Sequence, residues 1–317
     1  MCGIAGIVSQ AEIAPEVLQR MTQAIAHRGP DAEGFFEEGP VHLGHRRLSI
    51  LDTSARGNQP MHDASGRYVL IHNGEIYNFR QVRQELGFAH GTETDTEVIL
   101  AAYLRWGPAC LSKFAGMWAF AIWDRVEATL FVARDRLGIK PIYYHFEEGR
   151  LIFASEIRAL LRSGLFRPKV DRTGLASYLV YQTVYGNGTM LEGVQMVPPG
   201  HYGIWKDGNW TLTSWWDIWK NASMEAAEMD DSAVRNNIRR LLDQSIARRL
   251  VSDVPVGAFL SGGIDSSAIV ALMAQASAQP VDTFSIVFEE KEYDESEWSG
   301  LIAKKFATRH HPILLKP

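Results

Sequence analysis

The sequence reads as an α+β domain followed by α/β structure built on a parallel sheet. Three observations predict this. The first half alternates short strand-like runs with separate helical stretches, the last quarter repeats strand, helix, strand, helix, strand, and 317 residues exceed what one hydrophobic core usually supports.

In the first domain, placed at residues 1–166, candidate strands are 3–8, 41–45, 68–72, 117–123, 129–133, 142–146 and 151–154. Helical stretches interrupt them at 15–27, 79–86, 96–106 and 156–162. Residues 167–231 are less regular, with Gly186, Gly188, Pro198, Pro199, Gly200 and an acidic stretch, and read as a connecting region. The second domain, 232–317, opens on a helix whose apolar positions Val234, Ile238, Leu241, Leu242, Ile246 and Leu250 fall at helical spacing, with Ser232 as its expected N-cap. A continuous apolar strand at 254–260, a helix at 266–276, a strand at 281–288, a helix at 295–307 and a strand at 310–314 then predict crossover connections in a parallel sheet.

Composition excludes several classes. Hydrophobic residues make up 46% and charged residues 22%, and no apolar run is long enough to span a membrane. The first residues lack a basic leader, so a cytoplasmic protein is expected. A net charge of -5 without a basic run disfavours nucleic acid. Two cysteines, Cys2 and Cys110, cannot build a disulfide framework or a four-cysteine zinc site, which leaves a thiol free to react.

That thiol has an unusual position. If Met1 is removed, Cys2 carries its own α-amine, a base near pKa ~8 beside a thiol near ~8.5, so one residue supplies nucleophile and base. A buried structural cysteine at a strand start is the competing reading. Asn73-Gly74 follows a strand and precedes a helix, which predicts a tight turn whose amides could hold a developing oxyanion; a plain hairpin turn would use the same pair. Arg47 could grip a carboxylate bidentately and Asp95 could take an ammonium group. A surface charge and a helix N-cap are their ordinary roles.

In the second domain the strand ends in Ser261-Gly262-Gly263-Ile264-Asp265-Ser266-Ser267 and a helix follows. A glycine-rich turn at a helix N-terminus presents free N–H groups and the positive end of the helix dipole, which suits phosphate. No lysine follows the glycines, so this is not a Walker A loop.

Together the motifs resemble one family. Cys2-Gly3-Ile4-Ala5-Gly6, His27-Arg28-Gly29-Pro30-Asp31, Arg47-Leu48-Ser49-Ile50-Leu51-Asp52, Asn73-Gly74-Glu75-Ile76-Tyr77-Asn78, Asp95-Thr96-Glu97-Val98-Ile99 and Arg134-Asp135-Arg136-Leu137-Gly138 occur in the order found in glutamine-hydrolysing asparagine synthetases. The resemblance implies a four-layer αββα N-terminal-nucleophile glutaminase domain and an ATP-pyrophosphatase synthetase domain. It implies Cys2 as nucleophile, Asn73 and Gly74 as the oxyanion hole, and Arg47, Asn73, Gly74, Glu75 and Asp95 as the glutamine site. Leu260, Ser261, Gly262, Gly263, Asp265, Ser266 and Ile286 would bind ATP, with Asp265 also holding Mg²⁺. The implied substrates are glutamine, ATP and a carboxylate acceptor, aspartate by resemblance or, alternatively, another carboxylate of cell-envelope or natural-product biosynthesis, joined as a ligase; a homodimer is compatible with it. The family's synthetase domain continues past Pro317. The expectation is therefore an incomplete second domain, and glutamine hydrolysis without asparagine formation by this chain alone.

Overall fold

The structure, a computed structural model, describes residues 1–87, 91–220, 230–290, 292 and 294–316. They form two compact units, Met1–Ala222 and Ser223–Pro317.

Along the first unit run β1 (Gly3–Val8), α1 (Pro15–Gln23), β2 (Ala32–Glu38), β3 (Val41–Arg47), β4 (Met61–His62), β5 (Tyr68–Ile76), α2 (Phe79–Leu86) and α3 (Asp95–Trp106). Then follow β6 (Gly116–Asp124), β7 (Thr129–Arg134), β8 (Tyr143–Glu147), β9 (Arg150–Ala154), α4 (Ile157–Ser163), α5 (Arg172–Tyr181), β10 (Val194–Met196), β11 (His201–Lys206) and β12 (Asn209–Ser214). The strands make two antiparallel sheets, ordered β10-β8-β9-β1-β3-β2 and β12-β11-β7-β6-β5-β4.

One core joins the sheets face to face. Ile4, Leu43 and Phe153 from one pack with Val69, Ala121 and Val132 from the other. Strand alternation sends Ala5 and Ile7 to the opposite face of β1, against Val17 and Met21 of α1 and Leu160 of α4. Both faces of β1 are thus covered, which explains its uninterrupted apolar sequence. On the far side of the second sheet, the Tyr103 ring of α3 lies 5.0 Å from Phe131 of β7. Helix, sheet, sheet, helix is the layering that the resemblance implied.

The connecting region was expected over 167–231; of it, 221–229 lie outside the described residues, and 167–220 do not behave as a connector. The strand β10 extends the first sheet beside β8, and β11 extends the second beside β7. The first domain therefore reaches past Phe166. The local pattern of these strands is weak, because β10 is three residues long and Pro198-Pro199-Gly200 interrupts the run before β11. Also unanticipated are β2, whose Phe35 is exposed at a sheet edge, and the two-residue β4. The helix expected over 15–27 stops at Gln23, and a separate 3-10 turn covers Ala26–Arg28.

The second unit contains α6 (Asp231–Arg249), β13 (Gly257–Phe259), α7 (Ile264–Ala276), β14 (Asp282–Phe288), α8 (Ser296–Lys305) and β15 (Arg309–Leu315). Its strands are all parallel, in the order β13-β14-β15. Leu260, Val270 and Ala303 form its core, with Ala258, Ile302 and Phe306 against them. The N-cap of α6 is Asp230, whose carboxylate accepts from the Ala233 N–H at 2.7 Å, in place of the expected Ser232. Either residue type caps well, so a shift of two residues in the helix start decided it. No helix among the described residues is long and apolar enough to cross a membrane.

Candidate active site

Strand β1 begins one residue after Cys2, which fixes the thiol at the mouth of the two-sheet sandwich. The Cys2 Sγ accepts from the Leu48 N–H at 3.4 Å and lies 3.6 Å from the Leu48 carbonyl oxygen, tying it to the end of β3. The Cys2 carbonyl accepts from Arg28 Nε at 2.9 Å. Burial pushes the thiol up, with Asp95 adding to the effect, while the Leu48 N–H, the amino terminus and Arg47 oppose it. The same burial lowers the amine of Met1. That shift favours the neutral, basic form of the Met1 amine, while burial keeps the Cys2 thiol protonated until a base acts.

The turn expected at Asn73-Gly74 is absent. Strand β5 continues to Ile76, pairing Asn73 with Ala119 and Gly74 with Trp118, because β6 offers backbone partners along the whole length. Asn73 is fully buried, and its Nδ2 lies 3.5 Å from the Ser155 hydroxyl oxygen. At Gly74 a Cβ would stand 2.5 Å from Trp118 Cα and strike the Met117 carbonyl, so the ladder leaves no room for a side chain. A second link between the sheets runs from His45 Nε2 to the His72 carbonyl oxygen, 3.0 Å away. Burial lowers His45 to about 4 and His72 to about 3, so both rings are neutral at pH 7.

Adjacent arginines on β3 part company, as strand alternation requires. Arg46 faces outward and pairs with Glu33 at 2.6 Å. Arg47 is buried and donates to Ser54 O at 2.6 Å, Asn58 Oδ1 at 2.8 Å, Leu51 O at 3.3 Å and the Asp52 carbonyl. Those acceptors are neutral, and through them the guanidinium shapes the 51–58 loop. Asp95 is the first residue of α3 and is also buried; the N-cap is Thr94, whose hydroxyl accepts from the Glu97 N–H at 3.4 Å. Its Oδ2 accepts from the Ile76 N–H at 2.7 Å. Burial raises Asp95 to about 7, Glu75 adds repulsion, and the Ile76 N–H works against both.

Cys2 thus senses both Arg47 and Asp95, and Asp95 senses Glu75. A thiol, a buried cation and a buried carboxylate with a carboxylate neighbour match a substrate with an amino-acid end and a reactive carbonyl. Two residues at this place were not anticipated, Ser155 and Lys140. Lys140 is buried, with Nζ 2.9 Å from Met1 Sδ; burial lowers its ammonium, whereas Cys2 and Glu75 raise it. The signal lay in the run after Arg134. The Asp135 carboxylate accepts from the N–H groups of Trp118, Leu137, Ile139 and Lys140 at 3.1, 3.1, 3.0 and 3.0 Å. That motif is a loop frame, and Lys140 sits at its end.

In the second unit β13 leads through Leu260 into a turn at Ser261–Gly263 and then into α7. Leu260 is buried, and its carbonyl accepts from the Ser285 hydroxyl. Ser261 Oγ and Ser266 Oγ are 3.1 Å apart, and Ser261 Oγ accepts from the Gly263 N–H at 3.3 Å. Gly262 has φ 84°, and a Cβ there would lie 2.5 Å from Trp298 Cβ. Gly263 caps α7 with no side-chain acceptor, which leaves first-turn N–H groups for an anion. Asp265 is exposed in that first turn, and Ile286 is exposed on β14. Among the described residues no group of three or more His, Cys, Asp or Glu side chains converges as a metal site. The residues fit a Mg²⁺ ion that arrives already bound to phosphate, since such ions commonly take only one or two protein carboxylates.

A family model described as a glutamine amidotransferase domain matches residues 1–216, and one described as asparagine synthase matches residues 237–317. Among curated relatives, asparagine synthetase (glutamine-hydrolyzing) 3 of Bacillus subtilis is 36% identical, over 99% of this chain and 54% of the relative. A putative asparagine synthetase (glutamine-hydrolyzing) 2 of Methanocaldococcus jannaschii is 35% identical, over 100% of this chain and 65% of its own length. An amidase, chry2, of Gibberella zeae is 34% identical over 88% of the chain and 44% of the relative. The chain spans about half the length of most of these relatives. Among solved structures, the glutamine phosphoribosylpyrophosphate amidotransferase of Bacillus subtilis aligns with TM-score 0.53 at 20% identity, covering 98% of this chain and 65% of that one. At that identity the likeness speaks for the fold.

Proposed function

The chain belongs to the glutamine amidotransferase family, and from that premise we propose that its first unit releases ammonia from glutamine at Cys2. The observation that carries this reading is the convergence of Cys2, Arg47 and Asp95 from three separate elements. Arg47 binds the substrate α-carboxylate, and Asp95, with Glu75 beside it, binds the α-ammonium. With Met1 removed, the α-amine takes the thiol proton as Sγ adds to the side-chain amide carbonyl. Asn73 and Gly74 donate to the oxygen that becomes negative. The proton passes to the departing ammonia, leaving a thioester, which water cleaves to glutamate and free thiol.

The second unit, on this reading, holds ATP through Leu260, Ser261, Gly262, Gly263, Asp265, Ser266 and Ile286, with Asp265 toward Mg²⁺. ATP supplies the adenylation that makes a carboxylate reactive toward ammonia. Aspartate is the proposed acceptor, with asparagine as product. The names of the curated synthetases support it. One observation favours a different carboxylate: the fungal relatives are named amidases. The fate of nitrogen from glutamine labelled at its amide decides between them. Label in asparagine, with AMP formed, fits aspartate; label in another amide, in an extract offering many carboxylates, fits the second reading; label in free ammonia alone leaves glutamine hydrolysis as the activity of this chain by itself. No glutamate or ammonia from glutamine would end both.

Two quantitative expectations follow from the site. Protein kept with Met1 in place, verified by intact mass, should hydrolyse glutamine on the order of 10²–10⁴-fold more slowly, because the amine is then a peptide nitrogen and no longer a base. Full activity with Met1 present would refute the amine's role. Asp95→Asn should raise KM with kcat largely kept, since the ammonium contact exists in ground and transition states alike. For the parent, KM should also rise as pH falls below about 7, where Asp95 takes up a proton. The stability effect has the opposite sense. A carboxyl raised on folding makes the folded state lose stability as pH climbs from the unfolded value through about 7. Asp95→Asn cannot ionise and should therefore melt higher than the parent at pH 8 without glutamine. A lower melting temperature at that pH would show that the ionised carboxylate is stabilised by partners.

A further inference from the structure

We infer that Ser155 is the positioning residue of the oxyanion hole, its hydroxyl setting which end of the Asn73 amide faces the substrate. The inference rests on the glutaminase reading above and adds a residue to it. Ser155 follows β9, is fully buried, and ties down β1 twice: its N–H donates to the Ile4 carbonyl at 2.9 Å, and its Oγ accepts from the Ile4 N–H at 3.0 Å. Across the gap between the sheets, the same Oγ lies 3.5 Å from Asn73 Nδ2. In that arrangement the hydroxyl faces two donors. Asn73 Oδ1 meanwhile is buried without a hydrogen-bond partner among the described residues.

A hydroxyl has one hydrogen to give, and a primary amide has the same outline in either orientation, so the inventory of donors and acceptors decides between them. Turning the Asn73 amide by half a revolution resolves both defects at once. Oδ1 then accepts the Ser155 hydrogen, Oγ keeps its bond from Ile4, and Nδ2 points away from Ser155 with both hydrogens available. An oxyanion hole needs that end: a carbonyl oxygen aimed at the developing charge would repel it. The hydroxyl thereby links the strand that carries the nucleophile to the strand that carries the oxyanion donor.

The test is a double-mutant cycle on kcat with glutamine. Ser155→Ala should lower kcat on the order of 10–10²-fold, the scale of a misaligned catalytic group, with KM little changed. In an Asn73→Ala background the same substitution should cost nothing further, because the amide it aligns is gone. Iodoacetamide, whose iodide is displaced by the Cys2 thiolate without any oxyanion, should alkylate Cys2 of Ser155→Ala at the parental rate. That measurement also reports a correctly built β1. Ser155→Cys, close in shape and a poor donor, is measured alongside and carries the comparison should the alanine variant fail to fold; its kcat should lie between parent and alanine. Parental kcat in both variants would overturn the inference. So would losses that multiply in the double variant, or slowed alkylation, since either places the effect at β1. If the parent itself neither hydrolyses glutamine nor is inactivated by alkylation at Cys2, the underlying glutaminase reading fails instead.

Discussion

Cys2→Ala is expected to lose glutamine hydrolysis, with kcat down on the order of 10⁶, the scale seen when a covalent nucleophile is removed. The change deletes one sulfur atom at a half-buried position, and the contact it surrenders is a weak one, the Leu48 N–H at 3.4 Å. Stability should therefore change by no more than about 1 kcal/mol. The check is a glutamate-release assay beside a thermal melt. A melt near the parent's with hydrolysis gone fits the nucleophile role; substantial residual hydrolysis in pure variant protein removes it. The other thiol serves as an internal control. Cys110 is fully buried and burial pushes its thiol far up, so an electrophile should mark Cys2 alone in the folded parent and nothing in the variant.

Much of this molecule was legible from residue pattern because its central elements are covered on both faces. The nearly continuous apolar runs of β1, β6 and β7 could hardly be anything but strands. Legibility failed at the edges. In β2 the exposed Phe35 and three glutamates mask the period, and β10 and β11 take their identity from the β8 and β7 backbones they join. A strand held by pairing with another some fifty or more positions away carries little local mark of it.

The site divides the same way. Cys2, Arg47 and Asp95 could be named because their chemistry is unusual for where they stand in the chain, and the structure buries Arg47 and Asp95, half-buries Cys2 and lets the thiol sense both charges. Ser155 and Lys140 could not. A serine after a strand and a lysine after a glycine turn are ordinary residues until folding brings one against Asn73 and the other against the amino terminus. The Asn73-Gly74 pair shows a subtler failure. Its residue types suit a turn, yet backbone pairing with Ala119 and Trp118 keeps it extended, because nine matched residues of β6 outweigh a two-residue preference.

Asn73→Ala is the second large effect, a kcat loss on the order of 10²–10³ with KM nearly unchanged, the cost of one oxyanion-hole donor. The kinetic split follows from timing: a neutral amide oxygen accepts weakly, and the bond strengthens only as negative charge develops. Burial sharpens the expectation, since at a fully buried position no water stands ready to replace the lost donor. Removing the side chain also leaves Ser155 without its cross-sheet partner, so some loss of stability should accompany the kinetic effect. Alkylation of Cys2 by iodoacetamide should proceed at the parental rate, because that reaction develops no oxyanion. A rise in KM with kcat intact would move Asn73 from the reacting carbonyl to the binding of the amino-acid end, and would leave Gly74 as the donor to be tested next.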